Sequence, residues 1–314
     1  MRIFVAGSSG VIGWHLVPLL QEGGHEVIAL TRTPEKARQL EAAGVEVAVA
    51  DAFDKAALSA AIKESEPEVI IHQLTALGEG VANFRRFDEQ FALTNRLRTE
   101  VTNTMLTTAR SAGIRRFIAQ SFCGWPFARE GGPIKTENDP LDPNPPSSFS
   151  QTLAAIRELE QAVRSATDVE ALALRYGFFY GPRTAIAKDG QIIDLVRKRW
   201  LPIVGDGAGI WSFIHIQDAA RATAAAISSG SPGIYNIVDD EPVPVSTWLP
   251  FLAEVVGAKP PFKVPVWLAR LLIGEGGVSM MTQIRGGSNA KAKQELNWQL
   301  IYPSWRQGFV EGLG

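Results

Sequence analysis

The stretch RIFVAGSSGVIG, residues 2–13, constrains this chain more than any other. A short apolar run, Ile3 to Ala6, leads directly into Gly7, Gly10 and Gly13, and helical periodicity follows at once. That order reads as strand, tight turn, helix. Gly7 permits the turn, Gly10 lets the backbone approach a pyrophosphate, and Gly13 allows the helix to pack closely on its strand. The loop residues Gly7, Ser8, Ser9, Gly10, Val11, Ile12 and Gly13 would then surround phosphate groups, which the exposed amides and the helix dipole attract.

The rest of the first half repeats the alternation. Apolar runs at Ile3–Ala6, Val27–Leu30, Val45–Ala50, Val69–His72, Arg116–Gln120 and Ala171–Leu174 are separated by segments of helical period, the signature of buried parallel strands in a doubly wound α/β sheet. In VIGWHLVPLLQEGG, Val11, Leu16, Leu19 and Leu20 can share one helix face, and Gly23-Gly24 stops the helix. After Leu174 the order loosens, prolines and glycines cluster, and tryptophans stand at 200, 211, 248, 267, 298 and 305. The expected organisation is a nucleotide-binding Rossmann-type domain over 1–175, to which 211–238 returns with a strand at Gly233–Val238. A smaller, mainly substrate-binding C-terminal lobe would occupy 176–314. The long Gly-, Pro- and Asp-rich loop from Phe122 to Pro146 is of the length that usually serves a function.

Composition narrows the partners. With 31 basic against 33 acidic residues and a formal net charge of −2, nothing attracts nucleic acid or an acidic membrane surface. The late apolar stretch VPVWLARLLIG is about half the length of a membrane span and carries Arg270. Cys123, the only cysteine, excludes an internal disulfide and suits a reducing compartment, and Met1 leads into an apolar run too short for a signal-peptide core. A cytoplasmic protein acting on a small molecule is expected. Four histidines and one cysteine at unrelated spacings give no metal site.

The second strand ends IALTRTPEK. An NAD site usually carries an acid there for the ribose 2′-hydroxyl, whereas arginine suits a 2′-phosphate. Arg32 occupies the region, Lys36 lies one helical turn further on, and the acid is missing, so NADP(H) is favoured over NAD(H).

These motifs together resemble the extended and atypical short-chain dehydrogenase/reductases, the NAD-dependent epimerase/dehydratase-like family, over most of the chain. Besides the glycine loop, ADAFD after the third strand matches positions near adenine, at Asp51 and Ala52. VIIHQLTAL is similar to the family's segment beside the cofactor and brings in Leu74, Thr75 and Ala76. Asn95 falls in the family's long helix, and LRYGFFYGPR, with Tyr176 and Phe178, resembles the nicotinamide end. WSFIHIQDAARA and GIYNIVDDEPV resemble the later segments. AQSFCGWPF aligns with the family's SSxxVYG segment, with Gln120 beside the cofactor, Ser121 at the catalytic hydroxyl and Trp125 in place of a tyrosine.

The resemblance implies a hydroxyl that polarises substrate, a tyrosine that moves a proton, and a lysine that lowers the tyrosine's pKa, all aligned with hydride transfer. The helix that should carry YxxxK reads NPPSSFSQTLAAIRELE, with Ser148 and Thr152 in one register and Phe149 and Leu153 in the other. No lysine stands between Lys135 and Lys188, and all four tyrosines lie beyond this helix. The candidates to replace the pair are Tyr176 and Tyr180 after the sixth strand, and Lys135 beside Glu137 in the long loop, with Ser121 retained. His72 reads as a satisfied residue at a strand end, and His215 as structural, pairing around Asp218. Trp125, Trp211, Trp248, Trp267, Met280 and Met281 can line an apolar pocket or fill a core.

Three functions fit. The first is an NADP(H)-dependent oxidoreductase acting on a carbonyl or alcohol of a small organic molecule, with a non-standard proton donor. The second is a redox-neutral nucleotide-sugar epimerase or dehydratase, with Arg183, Lys188, Arg197, Lys198, Arg199 and Arg221 available to a diphosphate. The third is a non-catalytic NADP(H) sensor or scaffold. A homodimer through the long helix (about 88 to 112) and the stripe Leu153, Ile156, Leu159 and Val163 is a further expectation, unless that stripe faces the sheet.

Overall fold

In the computed structural model, which describes residues 1–77 and 83–314, seven parallel strands form the central sheet. They are β1 (Arg2–Ala6), β2 (Glu26–Thr31), β3 (Glu46–Val49), β4 (Val69–His72), β5 (Arg116–Phe122), β6 (Glu170–Tyr176) and β7 (Gly233–Ile237), in the order β7-β6-β5-β4-β1-β2-β3. The apolar runs of the sequence mark the first six, and the expected return strand pairs Gly233–Ile237 with Leu172–Tyr176. All seven point the same way, so their C-terminal ends share one edge. Strand order reverses between β1 and β4, and that edge is where such sheets bind ligands.

Two apolar layers cover the sheet. One face meets α1 (Val11–Glu22) and α8 (Ile216–Ala225), around Leu16, Val17, Leu20, Ala219 and Ala222. The stripe of α1 is rotated from the expected one: Ile12, Leu16, Val17 and Leu20 are buried, whereas Val11 and Leu19 are half-buried. The helix ends as expected, with Gly24 at φ +73°. The other face meets α3 (Lys55–Glu64), α5 (Thr102–Ala112) and α6 (Ser150–Arg164), around Leu58, Met105, Leu159 and Val163.

The long helix before β5 is continuous from α4 (Phe87–Arg96) into α5, joined by a π-helical turn at Leu97–Val101. Such turns are frequent at functional sites. Asp88 at its start accepts bonds from the Gln151 and Thr152 amides at 2.9 and 2.8 Å and so caps α6. The stripe Leu153, Ile156, Leu159 and Val163 is buried within this chain, the first two under the aromatic residues and the last two under the sheet. Leu159 and Val163 thus face the sheet, the alternative the sequence left open, whereas Leu153 and Ile156 do not.

A third apolar cluster fills the second half, where short two-stranded ribbons join Phe178–Tyr180 to Phe213–His215 and Ile203–Val204 to Lys263–Val264. Helix α10 (Val266–Thr282) kinks at Gly274, whose φ is +74°. No helix among the described residues is long and apolar enough to cross a membrane.

Candidate active site

The glycine loop follows β1 without an intervening residue. A Cβ on Gly7 would meet the Gln73 carbonyl carbon at 2.7 Å, and one on Gly13 would meet the Gly7 carbonyl oxygen at 2.3 Å. Gly10 differs, since a Cβ there would meet only the Gly7 oxygen, at 3.2 Å. Its outer side is open. Among the described residues no side chain caps α1 at Gly10, which leaves the first amides of the helix to a ligand. Ser8 is buried, and its hydroxyl has no hydrogen-bond partner among the described residues. An open, amide-rich cradle with an orphaned hydroxyl fits the pyrophosphate of a dinucleotide.

The other predicted cofactor residues follow the C-terminal ends of the neighbouring strands. Arg32 and Lys36 are exposed after β2, and neither forms an ion pair or side-chain hydrogen bond among the described residues. Asp51 and Ala52 follow β3, where the Asp51 carboxylate accepts the Phe53 amide at 2.9 Å. Leu74, Thr75 and Ala76 follow β4, with the Ala76 amide donating to Thr94 Oγ1 at 3.1 Å. Gln120 lies half-buried near the end of β5.

Beside this edge opens a cavity of about 1640 Å³. One wall is a chain of aromatic rings. Phe91 stacks on Phe87 at 4.2 Å, Phe87 meets Trp125 at 5.5 Å, and Trp125 meets Phe122 at 6.3 Å. Phe122 meets Phe178 at 5.2 Å, Phe178 stacks on Trp211 at 3.9 Å, and Trp211 meets Trp248 at 5.0 Å. Met280 and Met281 also line it, as the sequence allowed. Trp267 does not, being 63% exposed on α10. Offset and edge-to-face rings of this kind favour a flat, apolar or conjugated guest.

None of the four predicted catalytic side chains lines this cavity. Ser121 faces the opposite side of β5 and donates to Glu160 Oε1 on α6 at 2.8 Å. Strand side chains alternate, so it is Phe122, one residue on, that reaches the cavity. Tyr176 points into the α1/α8 layer, where its hydroxyl meets Thr223 Oγ1 at 2.7 Å and accepts from Gln73 at 2.9 Å. Burial pushes its pKa up, opposed by those two bonds. Tyr180 is buried against His215 and Phe309, and burial pushes its phenol up as well. Lys135 folds onto its own loop, donating to the Glu130 carbonyl at 2.6 Å and meeting Asp139 at 3.4 Å. Glu137 accepts the Asn236 amide at 2.8 Å, a loop anchor.

The histidines are structural too. His72 is buried, burial lowers its pKa to about 4, and its Nε2 lies 3.2 Å from the Leu97 carbonyl. His215 does not pair with Asp218. It bonds the Gly312 carbonyl at 3.0 Å, while Asp218 accepts the Ile301 and Tyr302 amides. The helix that carries YxxxK in the family places Phe149 against Phe87 and Trp125, and Thr152 against Asp88. Among the described lining residues there is no tyrosine, histidine, serine or cysteine.

One lining residue escapes sequence reading. Arg98, on the π-helical turn, is 6% exposed and stands three residues after Asn95, so the two share a helix face. Its Nη1 donates to Asn95 Oδ1 at 3.2 Å, and Asn95 in turn donates to Thr152 Oγ1 at 3.1 Å. The helix spacing to Asn95 was the signal available. Of the basic residues considered for a diphosphate, Arg183, Lys198 and Arg199 are exposed at the rim, and Lys188, Arg197 and Arg221 lie outside the lining.

Comparison with known proteins agrees with this fold. The model of the NAD dependent epimerase/dehydratase family matches residues 3–238. A 3-diazoavenalumate denitrifying reductase from a Streptomyces species is 42% identical over 98% of this chain and 99% of its own length. A 4-hydroxy-2-methyl-3-oxo-4-farnesyl-3,4-dihydroquinoline-1-oxide ketoreductase from Stigmatella aurantiaca is 28% identical, over 82% of this chain and 74% of its own. Among solved structures, the UDP-glucose 4-epimerase of Thermus thermophilus in complex with NAD superposes with a TM-score of 0.74 at 23% identity, covering 100% of this chain and 98% of that one. That likeness shows the fold. A doubly wound sheet with its glycine loop after β1, matched over most of its length by the family's model, makes this chain a member of the NAD dependent epimerase/dehydratase family.

Proposed function

We propose that the protein is a nicotinamide-dependent reductase of a flat, conjugated small molecule, and that it delivers hydride without a protein acid. The observation that carries this reading is the aromatic cavity, which adjoins the glycine-loop edge and holds no phenol or imidazole among its described lining residues. A reduced nicotinamide bound at that edge would supply the hydride. The aromatic wall would orient the acceptor by stacking and exclude water, and the glycine loop and α1 would hold the cofactor's phosphates.

An acceptor that brings its own leaving group suits such a site. When hydride replaces dinitrogen on a diazonium carbon, R–N₂⁺ + H⁻ → R–H + N₂, charge and atoms balance and no proton is needed. The relative at 42% identity, a 3-diazoavenalumate denitrifying reductase, supports this class of acceptor. Reduction of a ketone or alkene would need a proton from elsewhere. A nucleotide sugar is a poor match, because a wall of stacked rings offers its hydroxyls few partners.

The test is a panel of arenediazonium carboxylates, enals and aryl ketones, followed by loss of reduced-nicotinamide absorbance. Turnover should be confined to, or fastest with, the diazonium compounds. Turnover of ketones alone would sink the acid-free reading, and cofactor binding with no turnover of any acceptor would favour the sensor.

The cofactor of this reading is NADP(H), because Arg32 and Lys36 stand free after β2 where a 2′-phosphate would lie. Arg32→Glu should weaken NADPH by about tenfold or more while changing NADH little, in line with the loss of one charge-assisted hydrogen bond. Equal loss for both, measured by nucleotide fluorescence, would remove the 2′-phosphate assignment.

A further inference from the structure

We infer that Arg98 is the carboxylate-binding residue of the cavity and selects substrates that are aromatic or conjugated acids. This rests on the reductase reading for the word substrate, but the binding itself does not. Three observations carry it. Arg98 is more than nine-tenths buried, its Nε has no hydrogen-bond partner among the described residues, and it lines the cavity. No described carboxylate forms an ion pair with it; its one side-chain bond is to the neutral Asn95 amide at 3.2 Å. A buried guanidinium left in this state is costly unless an anion completes it, and the planar fork matches a carboxylate's two oxygens.

The surroundings define the rest of the guest. The Arg98 guanidinium lies 5.9 Å from the Phe91 ring, and Phe91 is the first ring of the aromatic wall. A flat conjugated acid would therefore lie along the wall with its carboxylate at Arg98. Position is built in: Asp88, Thr152 and Asn95 form a hydrogen-bonded chain that ends on the Arg98 Nη1, fixing the fork from the helix side. The rim cations are different. Arg183, Lys198 and Arg199 are exposed, and each already sits over a ring, Trp14, Trp200 and Phe262 respectively. Hydration makes each of them a weaker selector than a desolvated Arg98.

The experiment is calorimetric titration of the NADP⁺-loaded protein with trans-cinnamate and, separately, with its neutral amide. The wild type should prefer the acid by about tenfold or more, the scale of one charge-assisted hydrogen-bond pair. Arg98→Met should abolish that preference and leave NADPH affinity within about twofold, a change too small for a lost cofactor contact. Arg98→Gln, which can keep the bond to Asn95, should lose the preference as well. Because each variant removes a buried unpaired charge, its melting temperature without ligand should equal or exceed that of the wild type. Three results would overturn the inference: no preference for the acid in the wild type, a preference that survives in Arg98→Met, or variants that melt several degrees lower and so mark Arg98 as a structural cation. A wild type that prefers the acid but reduces no acceptor would refute the reductase reading and leave this one standing.

Discussion

Gly13→Ala is expected to abolish measurable NADPH binding and to lower stability by about 1–3 kcal/mol, the usual cost of overpacking a tight contact. The added Cβ would lie 2.3 Å from the Gly7 oxygen and 2.4 Å from the Ser8 oxygen, both backbone atoms of the phosphate loop. Backbone cannot rotate aside as a side chain can, so the loop must move off the helix and take its amides with it. Gly10→Ala separates the two effects. Its Cβ meets only one atom, at 3.2 Å, and the backbone at Gly10 is extended, with φ −76° and ψ 178°, which alanine adopts freely. That variant should melt like the wild type yet bind NADPH about ten- to a hundredfold more weakly, because the methyl group holds the phosphates off amides worth about 1.5–3 kcal/mol each. Nucleotide fluorescence and thermal melting on the pair check this. If Gly10→Ala binds normally, the loop is an ordinary strand–helix turn.

Glu160→Ala is expected to cost about 3–5 kcal/mol, a large part of the stability of an ordinary domain. Glu160 and Arg175 form a forked pair at 2.7 and 2.6 Å beneath the sheet, with side chains 5% and 2% exposed. Burial works against the charged guanidinium, but the hydrogen bonds and charge of Glu160 prevail and raise the Arg175 pKa. Without Glu160 the arginine is left buried with no hydrogen-bonded carboxylate among the described residues, facing the Phe127 ring at 5.2 Å and the more distant charge of Glu137, and Ser121 loses its acceptor. The double variant Glu160→Leu, Arg175→Met removes both charges and should recover most of the loss, since breaking a buried pair costs far more than replacing it. Denaturant unfolding of the three proteins measures this. Ser121→Ala belongs to the same cluster and should lower stability by about 1 kcal/mol, as one lost hydrogen bond does.

The sheet could be read from the sequence because its signal is local. Each strand except the edge strand β3, whose residues are half-buried or exposed, is a mainly apolar run covered on both faces, and the glycine spacing fixes the first crossover whatever lies elsewhere in the chain. The candidate catalytic residues depended on which way single side chains point, and that is settled by tertiary contacts. Ser121 and Phe122 differ by one position, and the pleat sends them to opposite faces, one to Glu160 and one to the cavity. Tyr176 stands at the strand end the reading singled out and shares the sheet face of Phe122, yet its phenol lies within the α1/α8 layer, held by Thr223 and Gln73. Lys135 lies in the long loop as the sequence has it, but that loop past Trp125 does not line the cavity, and the lysine bonds the Glu130 carbonyl. The aromatic wall was half legible, through its tryptophans, while Phe87 and Phe91 come from a helix read only for Asn95 and dimer contacts, and Phe84 from the turn before it. Arg98 was missed because a lone arginine in a helix usually faces water, and only the packed structure shows it facing a cavity.

Isotope transfer tests hydride delivery without a protein acid most directly. The protein is given an arenediazonium carboxylate and NADPH deuterated at the transferred position, in ordinary water. The product should carry one deuterium on the carbon that lost dinitrogen, at a rate that stays flat from about pH 6 to pH 9, because no ionising side chain takes part in the step. Solvent hydrogen at that carbon, or a rate that falls through a single ionisation in that range, would contradict it.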